Sequence, residues 1–253
     1  LLPALQGLVH RVAERTGLAD PARRRDLAIA SCGNAALAAA VVAAAGARRL
    51  HVFVPVDAEP AVLARLEELG AHVTVCARQR GDTGDPTVGR LLQAIAEGAL
   101  PFTCQGNLNG LAVEGGETLG YEIVGDLAAA GTTVDHLVVQ VGGGALASAC
   151  VEALQETAAL GALPSSPRLH AVQTKGAWPL KRAYDAVLAR CEGVGPAGAR
   201  SALRYAARHR SEFMWPWEHE PRSIAHGILD DETYDWLAVV EGMLATGGGP
   251  LVV

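Results

Sequence analysis

The stretch Asp26-Leu-Ala-Ile-Ala-Ser-Cys-Gly-Asn-Ala-Ala-Leu-Ala-Ala-Ala-Val-Val-Ala-Ala-Ala45 runs from a short apolar strand through a tight turn, Ser31-Cys32-Gly33-Asn34, into an alanine helix. The same order returns about 110 residues later in Asp135-His-Leu-Val-Val-Gln-Val-Gly-Gly-Gly-Ala-Leu-Ala-Ser-Ala-Cys150. Each turn aims unpaired N–H groups and the positive end of a helix at whatever lies before it. Two such turns predict one site for two acidic groups, a cofactor phosphate and a substrate carboxylate. Each also has a plainer reading. Asn34 suits a helix N-cap, and Gly142-Gly143-Gly144 suits close helix-on-sheet packing. The glycine run lacks the G-x-G-x-x-G spacing, because position 147 is Ala, and no P-loop lysine follows it.

Outward from these turns the chain alternates between short β-rich runs and helical periods. Strands are predicted over 26–30, 50–56, 71–76, 135–141, 169–173 and 250–253. Helices are predicted over 4–16, 34–45, 58–69, 86–97, 117–130, 146–160, 179–191 and 230–244. Continuous apolar strands joined by helices require right-handed crossovers and parallel pairing. The fold class is α/β: two open, mainly parallel twisted sheets flanked by helices. Between Gly98 and Gly116 the glycines, Pro101, Asn107 and Asn109 interrupt the period. That break predicts a smaller domain over 1–110 with the Ser31 loop and a larger one over 111–253 with the Gly142 loop. Sites in parallel sheets lie beyond the carboxyl ends of strands and in clefts between domains, which predicts a cofactor cleft between the two halves.

Composition narrows the function. The chain has 253 residues, half of them hydrophobic and 4% aromatic, enough for a sizeable core of small side chains. A net charge of −6 argues against nucleic acid as a partner. Arg23-Arg24-Arg25 reads as a solvated connection. No apolar run reaches the ~20 residues that span a bilayer, and the amphipathic start is unlike a signal peptide. Five widely spaced cysteines, Cys32, Cys76, Cys104, Cys150 and Cys191, contain no Cys-x-x-Cys pair. They predict a reducing cytoplasm, no disulfides and no zinc. The histidines show no metal-ligand spacing, so no metal site is expected. The acidic run Asp230-Asp231-Glu232 reads as favourable charge at a helix start, and Trp215-Pro-Trp217 as core or dimer contact. Leu1 and the apolar run at Val253 predict a chain truncated at both ends.

Taken in order, Ala28-Ile-Ala-Ser-Cys-Gly-Asn-Ala-Ala-Leu-Ala-Ala-Ala40, Val52-Phe-Val-Pro55, Leu66-Glu-Glu-Leu-Gly-Ala-His-Val73, Glu114-Gly-Gly-Glu-Thr-Leu-Gly-Tyr-Glu-Ile123 and Val138-Val-Gln-Val-Gly-Gly-Gly-Ala145 resemble the tryptophan synthase β-like family of pyridoxal phosphate enzymes. That family includes threonine synthases, threonine and serine dehydratases, and cysteine synthases. The resemblance implies pyridoxal 5'-phosphate as cofactor, held at its phosphate by Gly142, Gly143, Gly144 and Ala145. It implies a substrate carboxylate held by Ser31, Cys32, Gly33, Asn34 and Ala35, with Asn34 also bonding the cofactor's ring hydroxyl. Ser223-Ile-Ala-His-Gly-Ile228 is similar to the family's stretch beside the cofactor ring, with His226 where an acid is common. The implied activity is elimination or replacement on a small hydroxylated or β-substituted amino acid, by a homodimer.

The family's Schiff-base lysine precedes the helix ahead of the first turn, here the helix over 4–16, so it is expected before Leu1. The only lysines are Lys175 and Lys181. Lys175 follows the strand predicted over 169–173 but does not align with the motif, and a solvated lysine on a strand-to-helix loop is expected there. Two alternatives stay open: a non-catalytic binding or regulatory relative that lost its lysine, and a Rossmann-type nucleotide-binding oxidoreductase using the Gly142 loop.

Overall fold

The computed structural model describes residues 25–78, 84–191, 196–218 and 221–253. The helix predicted over 4–16 and most of the arginine cluster lie outside them. The described residues divide into two compact units, one of 25–78 with 86–103, the other of 84–85 with 104–253.

The first unit runs β1 (Leu27–Ala30), α1 (Asn34–Ala45), β2 (Leu50–Pro55), α2 (Pro60–Glu68), β3 (His72–Cys76), α3 (Pro86–Ala96) and β4 (Leu100–Pro101). Its sheet has the order β3-β2-β1-β4, all parallel, with Ile29 beside Val52 and Val52 beside Val73. β1 is interior, flanked by β2 along its whole length and by β4 at Leu27 and Ala28, so its carboxyl end is held by β2. Leu27, Ile29, Leu50, Val52 and Val54 form the core with Leu66 and the face Ala36, Ala39, Ala40 and Ala43 of α1. Those alanines fall at i, i+3, i+4 and i+7, one stripe of an α-helix. The two-residue β4 was not among the predicted strands. It pairs with β1 at Leu27 and Ala28, at the sheet's edge, where Pro101 has no ladder bond to lose.

The second unit runs α4 (Gly110–Ala130), β5 (His136–Gln140), α5 (Ala145–Ala159), β6 (Arg168–Gln173), α6 (Pro179–Cys191), α7 (Pro196–Arg208), α8 (Trp236–Thr246) and β7 (Gly249–Val252). Its described sheet is parallel, in the order β5-β6-β7. Val139, Val141, Ala147, Leu169, Ala171, Leu180, Val187, Trp236, Val240 and Met243 fill its core. The α/β class with parallel sheets flanked by helices is thus as expected.

Most elements fall within two residues of the sequence reading, but two helix starts lie six or seven residues away and one helix is additional. α4 starts at Gly110 rather than 117 and carries Gly115 and Gly116 inside it. A methyl on Gly116 would lie 2.8 Å from the Ala149 Cβ of α5, so close helix packing outweighs the glycine's cost to the helix. α7 was not predicted. α8 begins at Trp236, leaving the acidic run 230–232 outside the helix whose start it was expected to favour.

Candidate functional site

The turn after β1 is built as the sequence suggests. Ser31 N–H donates to Phe53 O at 3.2 Å, fixing the end of β1 to β2. Gly33, extended at φ −130°, is the N-cap of α1, and its N–H donates to Ser31 Oγ at 3.3 Å. Asn34 is therefore the first helical residue, not the cap of the plainer reading. Among the described residues the N–H groups of Asn34 and Ala35 have no acceptor, and the first turn of α1 holds no acid. Asn34 and Cys32 are exposed, while Ser31, Gly33 and Ala35 are half-buried. This is an accessible helix start with its positive end uncompensated.

The second turn lies in the other unit. Val141 N–H still donates to Val172 O at 2.9 Å, after which the chain leaves the sheet. Gly144, at φ +98°, is the N-cap of α5, a conformation that L side chains rarely adopt. A methyl on Gly142 would lie 2.5 Å from Asp230 Oδ2 and 3.0 Å from Ile228 Cα. One on Gly143 would lie 3.2 Å from Tyr234 Cδ2, and one on Gly144 3.1 Å from Thr233 Cγ2. The run of three glycines thus matches a run of close contacts with residues 228–235. Among the described residues the N–H groups of Gly142, Gly144 and Ala145 have no acceptor, and no acid lies in the first turn of α5.

The segment 228–235 is held by its own bonds. Asp235 N–H donates to Gly143 O at 2.9 Å, and the Asp235 carboxylate accepts from Gly106 N–H and Asn107 N–H, each at 2.9 Å. Thr233 Oγ1 accepts from the Nε2 of fully buried Gln173, whose Oε1 accepts from Leu180 N–H at 2.9 Å at the start of α6. Trp217 N–H donates to Asp231 O. Nearby, the Arg182 guanidinium lies 3.7 Å from the Trp215 ring centre and 5.1 Å from that of Trp217, and pairs with Glu218 at 2.8 Å. The Trp-Pro-Trp cluster is thus an arginine clamp.

The acidic groups here are shifted upward. Burial, then Asp85 and Asp231, push Asp230 to about 7, opposed by a hydrogen bond from Gly143 N–H. Burial also raises Asp235, opposed by the Gly106 and Asn107 N–H groups. Tyr234 is raised by burial and by Asp230, Asp85, Glu232 and Asp231, which keeps it a neutral phenol. Sequence reasoning assigned the run 230–232 only to a helix dipole. Its contact with the glycine loop is tertiary and leaves no local signature.

Lys175 is exposed, its backbone N–H bonded to Val253 O at 2.9 Å, and Lys181 pairs with Asp185. Gly227 and Ile228 lie in a short 3-10 turn that leads to Asp230. Among the described residues no group of three or more His, Cys, Asp or Glu could hold a metal, and no helix is long and apolar enough to cross a membrane.

A parallel α/β chain with two anion-ready strand-to-helix turns is the class defined so far, and comparison with known proteins makes it specific. A family model described as pyridoxal-phosphate dependent enzyme matches residues 4–238, and the chain belongs to that family. Three solved structures share the fold. They are the processed form of threonine deaminase isoform 2 from Solanum lycopersicum (15% identity, TM-score 0.61, 90% of this chain and 54% of that one), maize serine racemase (18%, 0.57, 90% and 56%) and a pyridoxal 5'-phosphate-dependent aspartate racemase (16%, 0.61, 97% and 61%). The chain therefore spans 54% to 61% of the length of these structures. No curated protein matches it significantly in sequence.

Proposed function

We propose that this chain carries the phosphate and carboxylate loops of an enzyme that performs elimination or replacement on a small hydroxylated or β-substituted amino acid. The observation that carries the reading is the Gly142, Gly143, Gly144 turn. Three of its donors, counting Ala145, have no acceptor among the described residues, and side chains are excluded by contact. A phosphate monoester needs converging N–H donors at a helix start, and this donor set fits one.

In this reading Gly142, Gly143, Gly144 and Ala145 hold the phosphate of pyridoxal 5'-phosphate. Ser31, Cys32, Gly33, Asn34 and Ala35 hold the substrate carboxylate through the N–H groups of Asn34 and Ala35, with the Asn34 amide available to the ring hydroxyl. The two domains of this reading carry one loop each, the Ser31 loop in the first and the Gly142 loop in the second. When bound, the pyridine ring supplies the electron sink for the carbanion that forms at the substrate's α-carbon. The chain's own contribution is orientation: two anions held at helix starts fix the reacting centre at little entropic cost. A homodimer in the cytoplasm completes the reading.

Two measurements test it. Pyridoxine 5'-phosphate should bind this chain at pH 7 at least tenfold more tightly than pyridoxine, and equal affinities would refute the phosphate cradle. A protein that carries this chain, supplied with pyridoxal 5'-phosphate, should turn serine, threonine or a β-substituted alanine into a keto acid and ammonia by elimination, or with an added thiol into the substituted amino acid by replacement. Its failure on all three would refute the reaction class and favour the non-catalytic relative.

A further inference from the structure

The cradle that the preceding reading gives to a phosphate already faces a carboxylate. Asp230 Oδ2 stands where a Gly142 side chain would begin, 2.5 Å from the ideal Cβ position, and the carboxylate takes the Gly143 N–H. Its surroundings oppose its charge. On its own segment lie Asp231, Glu232 and Tyr234, and Glu232 is paired with Arg210. From other elements come Asp85 and the Cys104 thiol. Among the described residues no lysine, arginine or histidine is among the groups that act on Asp230.

A dianionic phosphate at the same donors would meet the Asp230 carboxylate at close range in a low-dielectric pocket, where two like charges cannot both persist. Asp230 has two ways out, to leave the loop or to take a proton. Leaving is opposed by the bonds that hold its neighbours, Asp231 to Trp217, Thr233 to Gln173, and Asp235 to Gly143, Gly106 and Asn107. Taking a proton costs little near neutrality, since burial and Asp85 already bring the group to about 7. As a carboxylic acid it also gains an O–H donor that a phosphate oxygen can accept.

We propose that the Asp230 carboxylate competes with phosphate for the Gly142, Gly143, Gly144 cradle, so that each phosphate group enters with uptake of one proton from solvent onto Asp230. The inference rests on the cradle reading. It adds that loading of the phosphate is proton-coupled and weakens as pH rises. The ligand class is a phosphate monoester, and the group that sets the pH dependence belongs to the protein.

The test is calorimetric titration of the chain with pyridoxine 5'-phosphate, whose alcohol forms no imine with any lysine, between pH 7 and 9. The ligand's second phosphate ionisation, near 6, is complete there. The dissociation constant should rise toward tenfold per pH unit, and about 0.9 proton should be taken up per ligand at pH 8, read from buffers of different ionisation heat. In Asp230→Asn the slope and the uptake should vanish, and affinity at pH 8.5 should improve about 30-fold. The native chain's slope and proton count decide the matter even if that variant fails to fold. Binding that is flat in pH without proton uptake, or a slope that survives in Asp230→Asn, overturns the proposal and leaves the cradle intact. No binding by either protein at any pH overturns the cradle reading and this proposal with it.

Discussion

Asp230 makes the stability of the second unit depend on pH in a direction opposite to that of most carboxylates. A salt-bridged acid has a depressed pKa and stabilises the fold as pH rises. Asp230 is raised instead, from an ordinary 3.8 to about 7, by burial and by Asp85. Its protonated form is favoured in the folded chain. The stabilisation is therefore complete below about pH 4 and is lost as pH climbs to 7. Three pH units correspond to a loss of up to about 4 kcal/mol, a large share of a domain's stability. Asp230→Asn keeps a neutral side chain of the same shape at every pH. It should match the native chain near pH 4 and exceed it by up to about 4 kcal/mol at pH 8. All four tryptophans, Trp178, Trp215, Trp217 and Trp236, lie in residues 104–253, so denaturant unfolding followed by tryptophan fluorescence reads this unit alone. The difference between the two proteins removes the similar but smaller pull of Asp235 and Glu152, both raised by burial. A native stability that stays level or rises from pH 5 to 8, or a variant that follows the native slope, would refute the reasoning.

Three further substitutions follow from the same contacts. Asp235→Ala leaves two N–H groups, those of Gly106 and Asn107, without their charged acceptor, and should cost about 2–5 kcal/mol in chemical denaturation. Gly144→Ala forces an L residue to φ +98° and sets a methyl 3.1 Å from Thr233 Cγ2. Thermal unfolding should show a loss of about 1–3 kcal/mol, and pyridoxine 5'-phosphate affinity should drop with it. Arg182→Lys keeps the charge beside Glu218 but loses the flat guanidinium between Trp215 and Trp217, so it should be destabilised by about 1–2 kcal/mol, visible as a fluorescence change at those rings.

The sequence made α1 legible to the residue, because an apolar strand, a serine-glycine turn and an unbroken alanine run leave one solution. The glycine turn was legible for the same reason, and its partner was not. Asp230 lies 88 positions after Gly142, and nothing local to either marks their meeting. Glycine was the main source of misreading. At Gly116 it looks like a helix breaker, yet the narrow gap between α4 and α5 calls for it there and again at Gly120, while Gly115 faces open space. α7 escaped because its buried residues, Ala202 and Ala206, are small and its other faces carry arginines, which reads as a loop unless the i, i+4 spacing is weighed. The acids at 230–232 misled because a helix-start motif and a buried carboxylate share the same letters, and only tertiary packing tells them apart.

Asp235 ties three segments together through one side chain and one peptide group: the 106–107 turn, the glycine loop and the start of α8. Such a knot has few independent ways to open, so amide exchange at Gly106, Asn107 and Asp235 proceeds through one shared fluctuation rather than three. A ligand that quiets the glycine loop then also quiets the 106–107 turn, which it never touches. Such coupling would read out as slower amide exchange at Gly106 and Asn107 when phosphate binds.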